Sequence, residues 1–179
     1  MFIRAALLGL LFVSSVYGQF PYSKKFPPPT KRRKLVLQVI STGKASGNVE
    51  WTEESLAEAM YWYDKGDHKV LGAILDAGDH CDGATAEELG SWLGDTFITH
   101  PREILKAVAM RPVPKRKKLG LYAVAADGGG QGPEKMLLIR KLLNRFSRST
   151  ETNIAMTARL WLEVLGQYEA DPLNQQISP

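Results

Sequence analysis

The tightest constraint on the fold is a doubled five-residue pattern: Asp64-Lys65-Gly66-Asp67-His68 returns twelve positions later as Asp76-Ala77-Gly78-Asp79-His80. Carboxylates and imidazoles are metal-ligand types, so the pair invites a metal site. It also reads as helix punctuation, with glycine in the left-handed position that ends one helix and Asp capping the next. Length separates the two readings. If 67–76 is helical, about ten residues at about 1.5 Å rise hold the copies roughly 15 Å apart, whereas zinc needs its ligands at about 2 Å. His68 and His80 cannot then share one ion. The pattern is expected to mark both ends of one short helix with Val70, Leu71, Ile74 and Leu75 on its apolar face.

Helical signals continue on both sides. Thr52 is placed to cap a helix whose first turn carries Glu53 and Glu54, and Leu56, Met60 and Tyr63 follow at helical spacing. Thr85-Ala86-Glu87-Glu88 has the form of a capping box before Leu89, Trp92, Leu93 and Phe97. Pro101 suits a first helical position ahead of Ile104, Leu105 and Val108, and Pro112 and Pro114 are expected to close that helix. Lys115 to Lys118 then leads into Leu119 to Ala126, rich in Ala and Leu and expected to be helical, with Tyr122 and Val124 leaving a strand open. Pro133 opens a helix carrying Met136, Leu137, Ile139, Leu142, Leu143 and Phe146. The last helix, about Thr152 to Tyr168, is apolar around much of its circumference, which predicts packing on two sides.

The expected fold is all-α: six or seven short helices packed as antiparallel pairs. Starts near 53, 86, 119 and 152, and near 68, 101 and 134, share a 33-residue spacing. That spacing suits an α-solenoid of the HEAT-like kind, with an irregular helical bundle as the alternative.

Before the helices, Arg4, the apolar run Ala5 to Val13 and small residues ending at Gly18 read as a signal peptide cleaved after Gly18. The expected location is secreted or periplasmic, with no transmembrane span after cleavage, because about 20 apolar residues are needed to cross a bilayer. Residues 19–51 form a Pro-rich basic leader plus a short apolar segment, Leu35 to Ile40, whose length fits a strand or a helix end and which is expected to be helical or irregular and docked on the core. Residues 52–170 form a single helical domain and 171–179 a flexible tail. Removing Arg4 with the signal leaves 22 basic against 19 acidic residues. That mild excess does not by itself call for nucleic acid. Cys81 is the lone cysteine, so no internal disulfide forms, and it is expected to be a partly buried inert thiol.

Few residues suggest chemistry. Asp79, His80 and Asp82, with Cys81 as a fourth donor, are the remaining metal candidates, against the plainer reading of a polar interhelix loop. The paired carboxylates Glu53-Glu54 and Glu87-Glu88 sit where helix starts favour them. Gly128-Gly129-Gly130-Gln131-Gly132 lacks the Lys-Ser/Thr of a phosphate loop, and no cofactor motif is present. Two basic clusters, Lys31-Arg32-Arg33-Lys34 and Lys115-Arg116-Lys117-Lys118, are the candidate partner-binding residues. Trp51 and Trp62 are the tryptophans expected to be exposed. The function expected is a non-enzymatic, exported binding module for another protein or an anionic envelope polymer. The alternative is a small envelope hydrolase or metal-dependent enzyme using His80, or His100, with neighbouring carboxylates.

Overall fold

A computed structural model describes residues 30–125 and 132–175. The expected signal segment, the residues before Thr30, most of the Gly-rich run and the last four residues of the expected tail lie outside the described residues. The elements are α1 (Thr30–Thr42), α2 (Glu53–Asp64), a 3-10 turn (His68–Val70) running into α3 (Leu71–Ala77), α4 (Gly83–Thr99), α5 (Pro101–Ala109), α6 (Val113–Ala125), α7 (Pro133–Phe146), α8 (Thr152–Ala170) and a short α9 (Pro172–Gln175). Among the described residues the chain is all-α, as its periodicity predicts.

α2 begins where the sequence places it. The Ser55 amide donates to the Thr52 hydroxyl at 3.2 Å and the Thr52 amide donates to the Ser55 hydroxyl at 3.1 Å, a reciprocal cap on two otherwise orphaned donors. It ends in a Schellman arrangement, with the Asp67 amide on the Trp62 carbonyl, the Gly66 amide on the Tyr63 carbonyl and Gly66 at φ +96°. The first Asp-x-Gly is therefore a helix stop. The second also marks a helix end, since α3 stops at Ala77, but it does so without a left-handed glycine: Gly78 stays right-handed at φ −55°. A Cβ there would lie 3.2 Å from Leu119 Cδ2, so this glycine admits α6 rather than turning the chain. Asp67, expected as a cap, makes no capping bond, because its carboxylate takes Arg33 instead.

One further element extends the sequence reading and two depart from it. The apolar run Leu35 to Ile40 is helical and docked on the core, within the expectation, but its helix begins earlier, at Thr30, and Val36, Val39 and Ile40 are fully buried against α2 and α3. The folded domain thus reaches back across the expected boundary at 52, and the basic cluster 31–34 forms the opening turns of α1. Pro114 does not close α5: it sits in the first turn of α6, where no amide donor is required, so Lys115–Lys118 are helical. Thr85 lies inside α4, which starts two residues earlier, so the expected capping box is absent. The helix starts Glu53, Gly83, Val113 and Thr152 are spaced 30, 30 and 39 residues apart, whereas His68, Pro101 and Pro133 stand 33 and 32 apart, so the 33-residue spacing holds in one series and not in the other.

The core runs through the whole array. α6 lies between α4 and α8, and α8 packs in addition on α5 and α7, as its broad apolar surface predicts. Trp161 of α8 is fully buried. Its ring lies 5.3 Å from Phe97 between centroids, and its Nε1–H donates to the Arg116 carbonyl at 2.9 Å. Gly120 of α6 makes this contact possible, since a Cβ there would come within 2.7 Å of the indole.

Candidate binding surface

The doubled motif and the two basic clusters are partners of one another. Arg33 donates to Asp67 of the first copy at 2.7 Å, holding that carboxyl below the usual range, while Arg32 grips Glu58 through two nitrogens at 3.1 and 2.8 Å. Lys115 bridges Asp76 and Asp79 of the second copy at 2.9 and 2.7 Å, with only 12% of its side chain exposed. Arg111 adds a third cation, reaching Asp76 at 3.3 Å and the Gly72 carbonyl at 2.8 Å. Lys117 pairs with Glu163, Arg116 donates to the Arg111 carbonyl, and Lys118 lies over the Tyr122 ring. The carboxylate contacts join segments far apart in sequence, and among the described residues Arg32, Arg33, Lys115 and Lys117 make them, while Lys31, Lys34, Arg116 and Lys118 do not.

The loop cluster of the second copy is drawn apart by the same contacts. Asp79 faces Lys115. His80 Nε2 lies 3.3 Å from the Ser41 carbonyl, its ring against Gly43 and edge-on to Trp51 at 6.1 Å. Cys81 is buried, and burial pushes its thiol up to about 11 against the opposing charge of Lys118. Asp82 is exposed at the start of α4. No group of three or more His, Cys, Asp or Glu among the described residues is arranged to hold a metal ion. Trp62 is 5% exposed, so the exposed Trp51–Trp62 pair does not exist.

The other two histidines meet where the 3-10 turn crosses the α4–α5 junction. His68 Nδ1 lies 2.8 and 2.9 Å from the two Glu103 oxygens, and the His68 and His100 rings are 5.5 Å apart between centroids. Tyr63 packs against both rings. Its hydroxyl is buried without a partner, and burial, then the Glu103 charge, raises its ionisation above the ordinary phenol. Nothing local in the sequence signals this meeting, because His68 and His100 stand 32 positions apart. A depression of about 240 Å³ elsewhere, between α5 and α8, is lined by Lys106, Ala109, Met110 and Glu151 to Ile154, and holds no histidine.

With half of the cluster cations held by carboxylates, a further group of cations without a carboxylate stands together on the α7–α8 hairpin. Lys141, Arg145 and Arg148 follow at four- and three-residue spacing on the outward side of α7 and its C-terminal turn, and all are exposed. Arg159 of α8 joins them: its Nε–H donates to the Ser147 carbonyl at 3.1 Å, which leaves its charge without a carboxylate. Glu151, the acid nearest in sequence to Arg145 and Arg148, is engaged by Arg102, and Glu163, the nearest to Arg159, by Lys117. On the same stripe Leu137 and Leu138 are 53% and 41% exposed, with Glu134 at its N-terminal start. Antiparallel contacts, Arg140 to Glu169 and Ser147 to Arg159, fix the register of α7 on α8. They put Leu173, 72% exposed just beyond α8, at the end of the hairpin that carries the leucines. These residues are not contiguous, and only their helical spacing marks them in the sequence. No family model matches the chain, and no curated protein or solved structure matches it.

Proposed function

We propose that the protein is an exported, non-enzymatic binding module that takes an anionic partner on the outward face of the α7–α8 hairpin. The observation that carries this reading is the distribution of counter-ions. Arg32, Arg33, Lys115 and Lys117 have carboxylates from distant helices, whereas Lys141, Arg145, Arg148 and Arg159 have none among the described residues. Cations already paired within the fold must lose a partner before they bind another, but unpaired ones exchange only water and salt. The test is retention of the purified protein on a sulfated polysaccharide matrix. Changing Lys141, Arg145 and Arg148 to Ala should lower the salt needed for elution, while changing Lys31 and Lys34 should have a smaller effect. Equal elution of the triple variant and the parent would end this assignment.

The contact of His68 with Glu103 favours a second, enzymatic reading. A carboxylate on one ring nitrogen orients an imidazole so that the other can accept a proton from water, the arrangement of a general base. A hydrolytic activity of the purified protein that His68→Ala abolished, with unfolding unchanged, would put this reading first.

A further inference from the structure

Three features of the hairpin narrow the anionic partner. The cations are gathered toward one end of the stripe, around the C-terminus of α7, with Arg159 tied to the same turn. The other end bears exposed leucines, not exposed aromatic rings. Leu137 and Leu138 share one face of α7 and its C-terminal turn with Lys141, Arg145 and Arg148, so both kinds of side chain can meet a flat boundary at once. A sulfated or phosphorylated polymer has no use for leucines, and single-stranded nucleic acid binds by stacking on aromatic platforms. An anionic bilayer uses both: its phosphates attract the cations, and its acyl boundary takes apolar side chains lying in the plane of the interface. No helix among the described residues is long and apolar enough to cross a membrane.

We propose that the α7–α8 hairpin seats on the surface of an anionic lipid bilayer, with Lys141, Arg145, Arg148 and Arg159 on lipid phosphates and Leu137, Leu138 and Leu173 entering the interface. The proposal rests on the anionic-partner reading above and names its partner. Attraction of the order of 1 kcal/mol per basic residue corresponds to about fivefold in affinity for each, so removing three costs about a hundredfold. Partial burial of two leucine side chains contributes about tenfold. Since the cations act through a screened surface potential, binding weakens as salt rises.

The experiment is co-sedimentation of the full protein with phosphatidylcholine vesicles, with and without a third of phosphatidylglycerol, run beside the polysaccharide column. Every substitution lies on an exposed position, and circular dichroism checks the fold. The expected result is binding only to the anionic vesicles. Lys141→Ala/Arg145→Ala/Arg148→Ala should lose about a hundredfold, and Leu137→Gln/Leu138→Gln about tenfold on vesicles with column retention unchanged. Column retention without vesicle binding would overturn the lipid assignment and leave a soluble anionic polymer as the partner. Vesicle binding indifferent to the leucines, or equal on uncharged vesicles, would overturn it as well. Binding to neither matrix would remove both this inference and the reading beneath it.

Discussion

Replacing Glu88 by Gln removes a charge that α4 carries into the side of the bundle without compensation. Glu88 Oε2 is buried with no hydrogen-bond partner. Burial, and then the Glu53 and Glu54 carboxylates of the first turn of α2, push the group from 4.5 up to about 7. The sign follows from comparing the two states. Below 4.5 the carboxyl is protonated folded and unfolded, and costs nothing. As pH rises from 4.5 to about 7, the unfolded chain releases the proton while the folded chain keeps it, so stability falls; above about 7 the loss is complete. A gap of that width, at about 1.4 kcal/mol per unit, has a ceiling of about 3 kcal/mol. Partial exposure of the side chain brings the expected figure to between about 1 and 3 kcal/mol. A Gln at this position keeps the shape and presents a donor to Glu53, as the neutral acid does. Urea unfolding of parent and Glu88→Gln is the assay. The two should be nearly equal below pH 4.5, with the variant more stable above pH 7. A stability gap that did not change with pH, or that was larger in acid, would refute the reasoning.

Three other perturbations test the packing. Gly120→Ala drives a methyl to within 2.7 Å of the buried Trp161 ring, and denaturant unfolding should show a loss of about 1 to 3 kcal/mol. Thr52→Ala removes one half of the reciprocal cap on α2 and should cost about 1 kcal/mol by the same measurement. Cys81, buried and with its thiol held near 11, should react very slowly with a disulfide reagent at neutral pH in the native protein and rapidly in urea, so fast native labelling would contradict its place in the core.

What was legible in the sequence was local. The Thr52 cap and the Gly66 stop, and the apolar periodicity of α2, α5, α7 and α8, depend on residues within one or two turns, and all can be read from the chain. What escaped depends on contacts that local reading does not reach. The run Leu35 to Ile40 is too short for periodicity to settle, and its burial follows from α3 and α2 packing against it. Pro114 looks like a terminator, but a proline is as well suited to a helix start, and only the packing of Leu119 and Ala123 decides which. The basic clusters resemble binding sites because the carboxylates that hold half of them lie 26 to 46 positions away, elsewhere in the fold. The doubled motif supplies two of those counter-ion sets, through Asp67 and through Asp76 with Asp79. The hairpin cations form no run, so a scan for charge blocks passes over them, although the spacing of Lys141, Arg145 and Arg148 puts them on one helix face.

The separation of paired from unpaired cations is tested most directly by amide chemical-shift mapping during titration with a short sulfated oligosaccharide. The predicted result is a set of shifts largest at residues 141–148 and at Arg159 and its neighbours, abolished by salt, with smaller shifts at 31–34 and none at 115–118. Shifts largest at 31–34 or 115–118, or none anywhere, would contradict it.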